Sequence, residues 1–337
     1  MSSSYCCTLE DVTSAMTRIR PYVDKTPMMT SSTLNKMSGH KIFLKTENFQ
    51  KTGSFKIRGA TNAVLKIKQD LPDVNCVVCD SSGNHGQALA RAAQTSGLKC
   101  YVVMPENSPK CKIDAVKGYG ANVVLCEASE EARKRGADDV IKQHGGVYVS
   151  SSQTFDVIRG QGTLGLEIIE QNPECDVIVA AVAGGGMISG IATAVKGVNS
   201  SVKVIAAEPE LANDCYISKK TGVLTPNPTF PNTIADGVKV SVGENTWPMI
   251  RDLIDDVITV SEDEIKHATL LVWERCKLVI EPTAGVAVAA VLSENFNKTL
   301  SKLFPNSEPK NVTVVLCGGN VDFGVLPELL NCAQDLG

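Results

Sequence analysis

The chain has 337 residues, of which 43% are hydrophobic and 21% charged, enough to bury a sizeable core and to exclude a disordered or fibrous class. A net charge of -4 provides no basic field for a phosphate backbone, so nucleic acid is not an expected partner. No apolar run is long enough to cross a bilayer, and the start Met1-Ser2-Ser3-Ser4-Tyr5-Cys6-Cys7 has no signal-peptide pattern, so a cytoplasmic enzyme without membrane partners is expected.

From Ile42 onward short apolar runs alternate with helical patterns. The spacing predicts strands over 42–47, 74–79, 100–104 and 122–125, and helices from Phe55, over 84–96, 110–119 and 130–144. A second series predicts helices over 160–171, 188–196, 262–276 and 282–292, with strands over 177–182, 202–207, 257–260 and 312–316. Residues 295–309 read as a solvated surface connection. Such alternation argues for an α/β fold with mostly parallel sheets flanked by helices, which bind ligands at the carboxyl ends of their strands. The twelve cysteines are scattered through apolar runs and read as buried thiols. Cys76 and Cys79 have redox spacing, but three residues along a strand they point to opposite faces.

Chemistry gathers at a lysine turn and three glycine loops. Lys51-Thr52-Gly53-Ser54-Phe55-Lys56 runs straight into a helix, either as a basic turn capped by Ser54 or as the mouth of a site where a desolvated Lys56 could attack a carbonyl. Ser81-Ser82-Gly83-Asn84-His85-Gly86-Gln87 ends a strand and could cradle a carboxylate. Ala183-Gly184-Gly185-Gly186-Met187 offers backbone N–H groups and a positive dipole end to a phosphate, and Leu316-Cys317-Gly318-Gly319-Asn320 closes the final strand. The spaced glycines of a dinucleotide fold are lacking.

In this order, and joined by Gly160-Gln161-Gly162-Thr163 and Glu281-Pro282-Thr283-Ala284-Gly285, these segments resemble the fold type II pyridoxal-phosphate enzymes, and among them the serine racemase and serine/threonine dehydratase family. The resemblance implies a large cofactor-binding domain of residues 1–78 and 146–337, a small domain of 79–145, and a homodimer. It implies that Lys56 binds the cofactor aldehyde and serves as base on one face of the substrate, with Ser82 on the other. Two bases on opposite faces are what inversion at carbon needs. Phe55 and Gly237 would flank the cofactor ring, Asn84 would bond its phenolic oxygen, and Ala183 through Met187 would hold its phosphate. Cys317, where near relatives carry serine, would face the ring nitrogen as a neutral group. Glu208, Asp214 and the Ala212 carbonyl match a Mg²⁺ or Ca²⁺ site, with Asn245 a peripheral contact. Ser31, Ser32, Thr33, Lys51, Thr52, Gln87, Tyr119, Lys277 and Asn320 match the positions of an adenine-nucleotide effector.

Substrate recognition falls to Ser81, Ser82, Asn84, His85, Arg133 and the loop Ser150-Ser151-Ser152. Three serines there resemble the invertebrate aspartate racemases of this family, and hydroxyl donors can solvate a second carboxylate. Arg133 and Arg159 would add positive charge. Aspartate racemisation is therefore expected, with serine racemase and dehydratase activity as the alternative. The competing reading of the serines is a flexible connection that includes a helix cap.

Overall fold

The computed structural model describes residues 5–81, 83–305 and 308–333. Among these, ten strands and fourteen α-helices follow in order. The first part of the chain contributes α1 (Leu9–Ile19), β1 (Met28–Thr30), α2 (Ser32–Ser38), β2 (Lys41–Thr46) and α3 (Lys56–Asp70). Then come β3 (Cys76–Asp80), α4 (Asn84–Ser96), β4 (Lys99–Pro105), α5 (Lys110–Gly118), β5 (Asn122–Cys126), α6 (Glu130–His144) and β6 (Val147–Tyr148). The chain continues through α7 (Phe155–Gln171), β7 (Val177–Ala181), α8 (Gly186–Val198), β8 (Lys203–Pro209), α9 (Asp214–Thr221), α10 (Trp247–Leu253) and β9 (Asp256–Val260). It ends with α11 (Glu262–Leu271), α12 (Pro282–Leu292), α13 (Glu294–Leu303), β10 (Asn311–Leu316) and α14 (Leu326–Ala333).

The strands form two sheets, one in the order β1-β2-β10-β7-β8-β9 and one in the order β5-β4-β3-β6. All pairings are parallel except β1 with β2. Residues 76–78 and 147–148 pair within the smaller sheet, beyond the 79–145 expected for a small domain. Cys79 packs with Val77 under α4, while Cys76 reaches the carbonyl of Gly145, so the two thiols do face opposite ways. The cysteines from Cys6 to Cys317 are free.

The helix carrying Lys56 is fixed by two kinds of contact. In its first turn, Gly59 meets Gly160 and brings α3 and α7 so close that a Cβ on Gly160 would stand 2.7 Å from the Gly59 Cα, and Gly59 N donates to Gln161 Oε1 at 3.0 Å. Side chains larger than hydrogen would force the helices apart. Beneath it, Arg58 is fully buried and donates to Glu47 (2.7 and 2.8 Å) and to Glu167 (2.7 and 2.8 Å), while Lys45 Nζ donates to Glu167 at 2.7 Å. Two cations balance two carboxylates, so no bare charge is left in the core.

Two segments depart from the sequence reading. Residues 295–303 are not an open connection but most of α13, capped by Ser293 and burying Phe296 and Leu300 four residues apart on one face. The polar residues between them mask that stripe in the sequence. The predicted helix over 262–276 is α-helical only to Leu271, then turns π-helical over Val272–Cys276 and ends at Lys277 with φ +58°.

Candidate active site

The carboxyl ends of β2, β3, β7 and β10 direct the lysine turn and the glycine loops to one region. Phe55 N donates to the Cys317 carbonyl at 3.1 Å and Ser54 bridges to Gly318, so the turn before α3 is joined to the loop after β10. The Ser54 cap, the alternative reading of this turn, does not form: Phe55 is the N-cap, without a side-chain bond, and the buried Ser54 hydroxyl has no partner among the described residues. The reason is that pairing with Gly318 holds Ser54 extended (φ -162°) and outside the helix.

Lys56 Nζ lies 5.0 Å from the Phe55 ring centroid and donates to the Ser151 carbonyl at 3.2 Å. Burial lowers its pKa to about 8, against the opposing pull of Cys317 and Glu281. An amine in that range supplies the neutral, nucleophilic form near physiological pH, which an ordinary lysine does not. Burial pushes the Cys317 thiol well above its usual range, as does Glu281, so Cys317 is a neutral group.

Asn84, at the start of α4, donates to both oxygens of Glu281 (2.9 and 3.0 Å) and accepts from Asn320 Nδ2 at 2.8 Å. Burial raises Glu281 to about 7, helped by Asp236. Asp236 is in turn ion-paired with Lys112 of α5, which ties the smaller sheet's helices to the segment carrying Gly237. The sequence does not single out Glu281, Asp236 or Lys112 as site residues. Glu281 opens the Glu281-Pro282-Thr283-Ala284-Gly285 motif and Asp236 stands beside Gly237, but nothing local points to Lys112.

Ser81 accepts from Gly83 N and Gly86 N at 3.2 and 3.1 Å, shaping its own loop. His85 is buried, with Nε2 at 2.9 Å from the Val149 carbonyl, and burial followed by the Lys56 charge lowers its pKa to about 4. A neutral ring with Nε2 donating leaves Nδ1 an acceptor, and that atom has no partner among the described residues. Ser82 lies outside the described residues.

The phosphate-type loop follows β7 and opens α8, where first-turn N–H groups lack intrahelical partners. Gly185 takes φ +86°, which its lack of a Cβ permits, whereas Ala183 is not among the residues with positive φ. The Gly184 carbonyl accepts from Thr246 Oγ1 at 2.8 Å and Gln153 Nε2 at 2.9 Å, so the loop is braced from two sides. These donors, the lowered Lys56 and the neutral Cys317 fit pyridoxal phosphate.

Of the three serines, Ser150 accepts from Gln153 N at 3.1 Å and Ser152 is buried against Gly184 and Gly186, where added Cβ atoms would stand 2.2 and 3.0 Å from it. Part of the run is thus a structured connection, although the helix cap itself is Thr154. Ser151 is the one whose hydroxyl makes no hydrogen bond among the described residues. Arg133 pairs with Asp80 at 3.7 Å. Arg159 does not join the serine loop: it faces Asp11 of α1 at 3.6 Å and Asp156 at 3.1 Å, because its place on α7 turns it toward α1.

Glu208 and Asp214 are buried at the end of β8 and start of α9, near buried Ala212. Glu208 accepts from Cys215 N and Tyr216 N, and Asp214 from Asn227 Nδ2 and Val242 N. Burial and then Asp214 push Glu208 well above the carboxylate range, and burial raises Asp214 to about 6. No lysine or arginine pairs with either among the described residues. Asn245 instead donates to the Gln153 carbonyl at 2.9 Å, bracing the serine loop. Among the described residues no group of three or more His, Cys, Asp or Glu side chains gathers as a metal cluster.

Of the nucleotide set, Thr52 and Asn320 touch, with Asn320 Nδ2 donating to the Thr52 carbonyl at 2.7 Å. Thr52 and Lys277 are the non-glycine residues with positive φ among those described. Gln87 is buried in α4, Lys51 faces Asp24 at 3.4 Å, and Tyr119 caps α5. Ser31 caps α2, which begins with Ser32 and Thr33.

A family model described as pyridoxal-phosphate dependent enzyme matches residues 19–318. Human serine racemase is 53% identical over 324 residues, covering 96% of this chain and 94% of that protein. A pyridoxal 5'-phosphate-dependent aspartate racemase structure superposes with a TM-score of 0.91 at 43% identity, covering 97% of this chain and 99% of that one. The processed form of threonine deaminase isoform 2 from Solanum lycopersicum gives a TM-score of 0.88 at 30% identity, covering 98% of this chain and 88% of that one. A buried amine with a lowered pKa at the mouth of a helix, facing a glycine loop, is thus found in a chain that belongs to the pyridoxal-phosphate-dependent enzymes, in their serine racemase family.

Proposed function

We propose that the protein is a pyridoxal-phosphate-dependent amino-acid racemase. The observation that carries this is Lys56: an amine lowered to about 8, two residues from the Arg58 anchor and flanked by Phe55 and Cys317. When bound, pyridoxal phosphate withdraws electrons from the substrate Cα and acidifies its proton. Lys56 would hold the cofactor aldehyde and, once released, move the proton at Cα on one face, with Ser82 as the opposite base. The N–H groups of Gly184, Gly185, Gly186 and Met187 and of Ala183 would hold the phosphate. Cys317, a neutral thiol, would leave the ring nitrogen unprotonated, which favours return of the proton over other fates.

Serine is the better-supported substrate, since the human relative at 53% identity is a serine racemase. Loss of the serine β-hydroxyl after proton removal would produce pyruvate, so dehydratase activity accompanies this reading. Aspartate is the second reading, and one observation favours it: the Ser151 carbonyl accepts from Lys56 Nζ, which puts Ser151 at the site, and its hydroxyl makes no hydrogen bond among the described residues that would compete with a second carboxylate. Chiral analysis of products from L-serine and L-aspartate, side by side, decides. D-serine with pyruvate supports the first, D-aspartate the second, and inversion of neither overturns the racemase assignment.

The buried Glu208 and Asp214 pair, with the Ala212 carbonyl, would hold Mg²⁺ or Ca²⁺ completed by water. Lys51, Thr52, Gln87 and Asn320, with the other residues of that set, would hold an adenine nucleotide, and the enzyme would act as a cytoplasmic homodimer.

A further inference from the structure

Asp80 is the last residue of β3 and directly precedes the Ser81 loop. Strand alternation places Val78 and Asp80 on the face covered by α6, where Val78 packs with Ala137 and Val140. Tyr148 pairs with Val78 across the β3–β6 ladder, so its side chain shares that face. Its hydroxyl donates to Asp80. Arg133 lies in the first turn of α6, at the carboxyl end of the parallel strands where ligands enter, and approaches the same carboxylate no nearer than 3.7 Å. Both side chains are largely covered, Arg133 at 16% and Asp80 at 15% exposure. The loop that follows Asp80 leads directly into the first turn of α4, which carries the buried His85.

We propose that Asp80 is a specificity-determining residue, an internal carboxylate that holds Arg133 until a dicarboxylic substrate or inhibitor exchanges for it. The proposal rests on the aspartate reading above. Exchange of one carboxylate for another leaves no bare charge on Arg133, and Tyr148 keeps Asp80 hydrogen-bonded after release. The two contacts differ in kind: Tyr148 donates at hydrogen-bond distance, whereas the guanidinium stands too far for one. The weaker partner is the one free to leave.

The test uses the holoenzyme, with malonate as a dicarboxylate and acetate as a monocarboxylate competing against whichever amino acid is racemised better. Asp80→Asn is expected to strengthen malonate inhibition about fivefold relative to acetate, the scale of a partly screened ion pair. Tyr148→Phe should weaken it, because Asp80 then has Arg133 alone to satisfy it. Adding Arg133→Gln to Asp80→Asn should remove the gain. Malonate and acetate constants that stay fixed or move together, or a gain that survives loss of Arg133, overturn the proposal. If Asp80→Asn fails to fold, Tyr148→Phe keeps both charges and decides by the same ratio. Should the wild type invert serine and not aspartate, the aspartate reading falls, while the malonate series still decides the role of Asp80.

Discussion

The two walls of the site are held by different forces. On the larger-sheet side, Lys56, Cys317 and the Gly184 loop are fixed by backbone bonds, close glycine contacts and a fully buried charge network under α3. On the smaller-sheet side, α5 and α6 reach the site through side-chain ion pairs, Lys112 with Asp236 and Arg133 with Asp80, and Asp236 is half exposed. Backbone and core contacts keep one geometry, whereas partly solvated pairs can exchange partners at small cost. The comparison teaches that the wall proposed to hold the cofactor is built from fixed contacts, and the wall proposed to meet the substrate from exchangeable ones.

The largest effect expected from breaking this contrast lies under α3. Arg58→Met leaves Glu47 and Glu167 buried with Lys45 as their only cation, so it should cost about 3–5 kcal/mol of unfolding free energy. Urea denaturation measures this, and a loss near that of a surface substitution would show that the network does not anchor the lysine helix.

Next in size is the carboxylate pair. A carboxylic acid whose folded pKa is raised binds protons more tightly in the native state, so stability falls as pH rises from the unfolded value through the folded one. For Asp214 that window runs from 3.8 to about 6, and Glu208 extends it upward. In chelator the melting temperature should therefore decline across the window. Ca²⁺ or Mg²⁺ should oppose the decline, with a gain of about 2.7 kcal/mol at a hundredfold excess over its dissociation constant. A melting temperature that rises with pH in chelator, or does not respond to either cation at neutral pH, removes the cation reading. Smallest is the severalfold shift in malonate inhibition expected at Asp80, on the wall of exchangeable contacts.

What could be read from sequence follows the same division. The helices over 84–96, 130–144 and 282–292 match, because capping residues and a Pro at the first helical position mark their ends locally. Lys56 and the glycine loops were legible for the same reason, since each lies at a strand-to-helix turn. Tyr148 and Asp80, 68 residues apart, and Lys112 and Asp236, 124 apart, carry no local signal, and strand alternation and helix placement bring them together only in the fold. Arg159 shows the converse: in the sequence it reads as a further cation for the substrate, but helical geometry turns it to Asp11.

The most direct measurement of the central claim is capture of pyridoxal phosphate by the cofactor-free protein across pH, followed by borohydride reduction and peptide mapping. Neutral Lys56 does the attacking, so the added mass should sit on the peptide containing Lys56, with the capture rate reaching half its maximum near pH 8 and vanishing in Lys56→Ala. Label on another lysine, or a rate that rises only in the range of an ordinary exposed amine, would contradict the account.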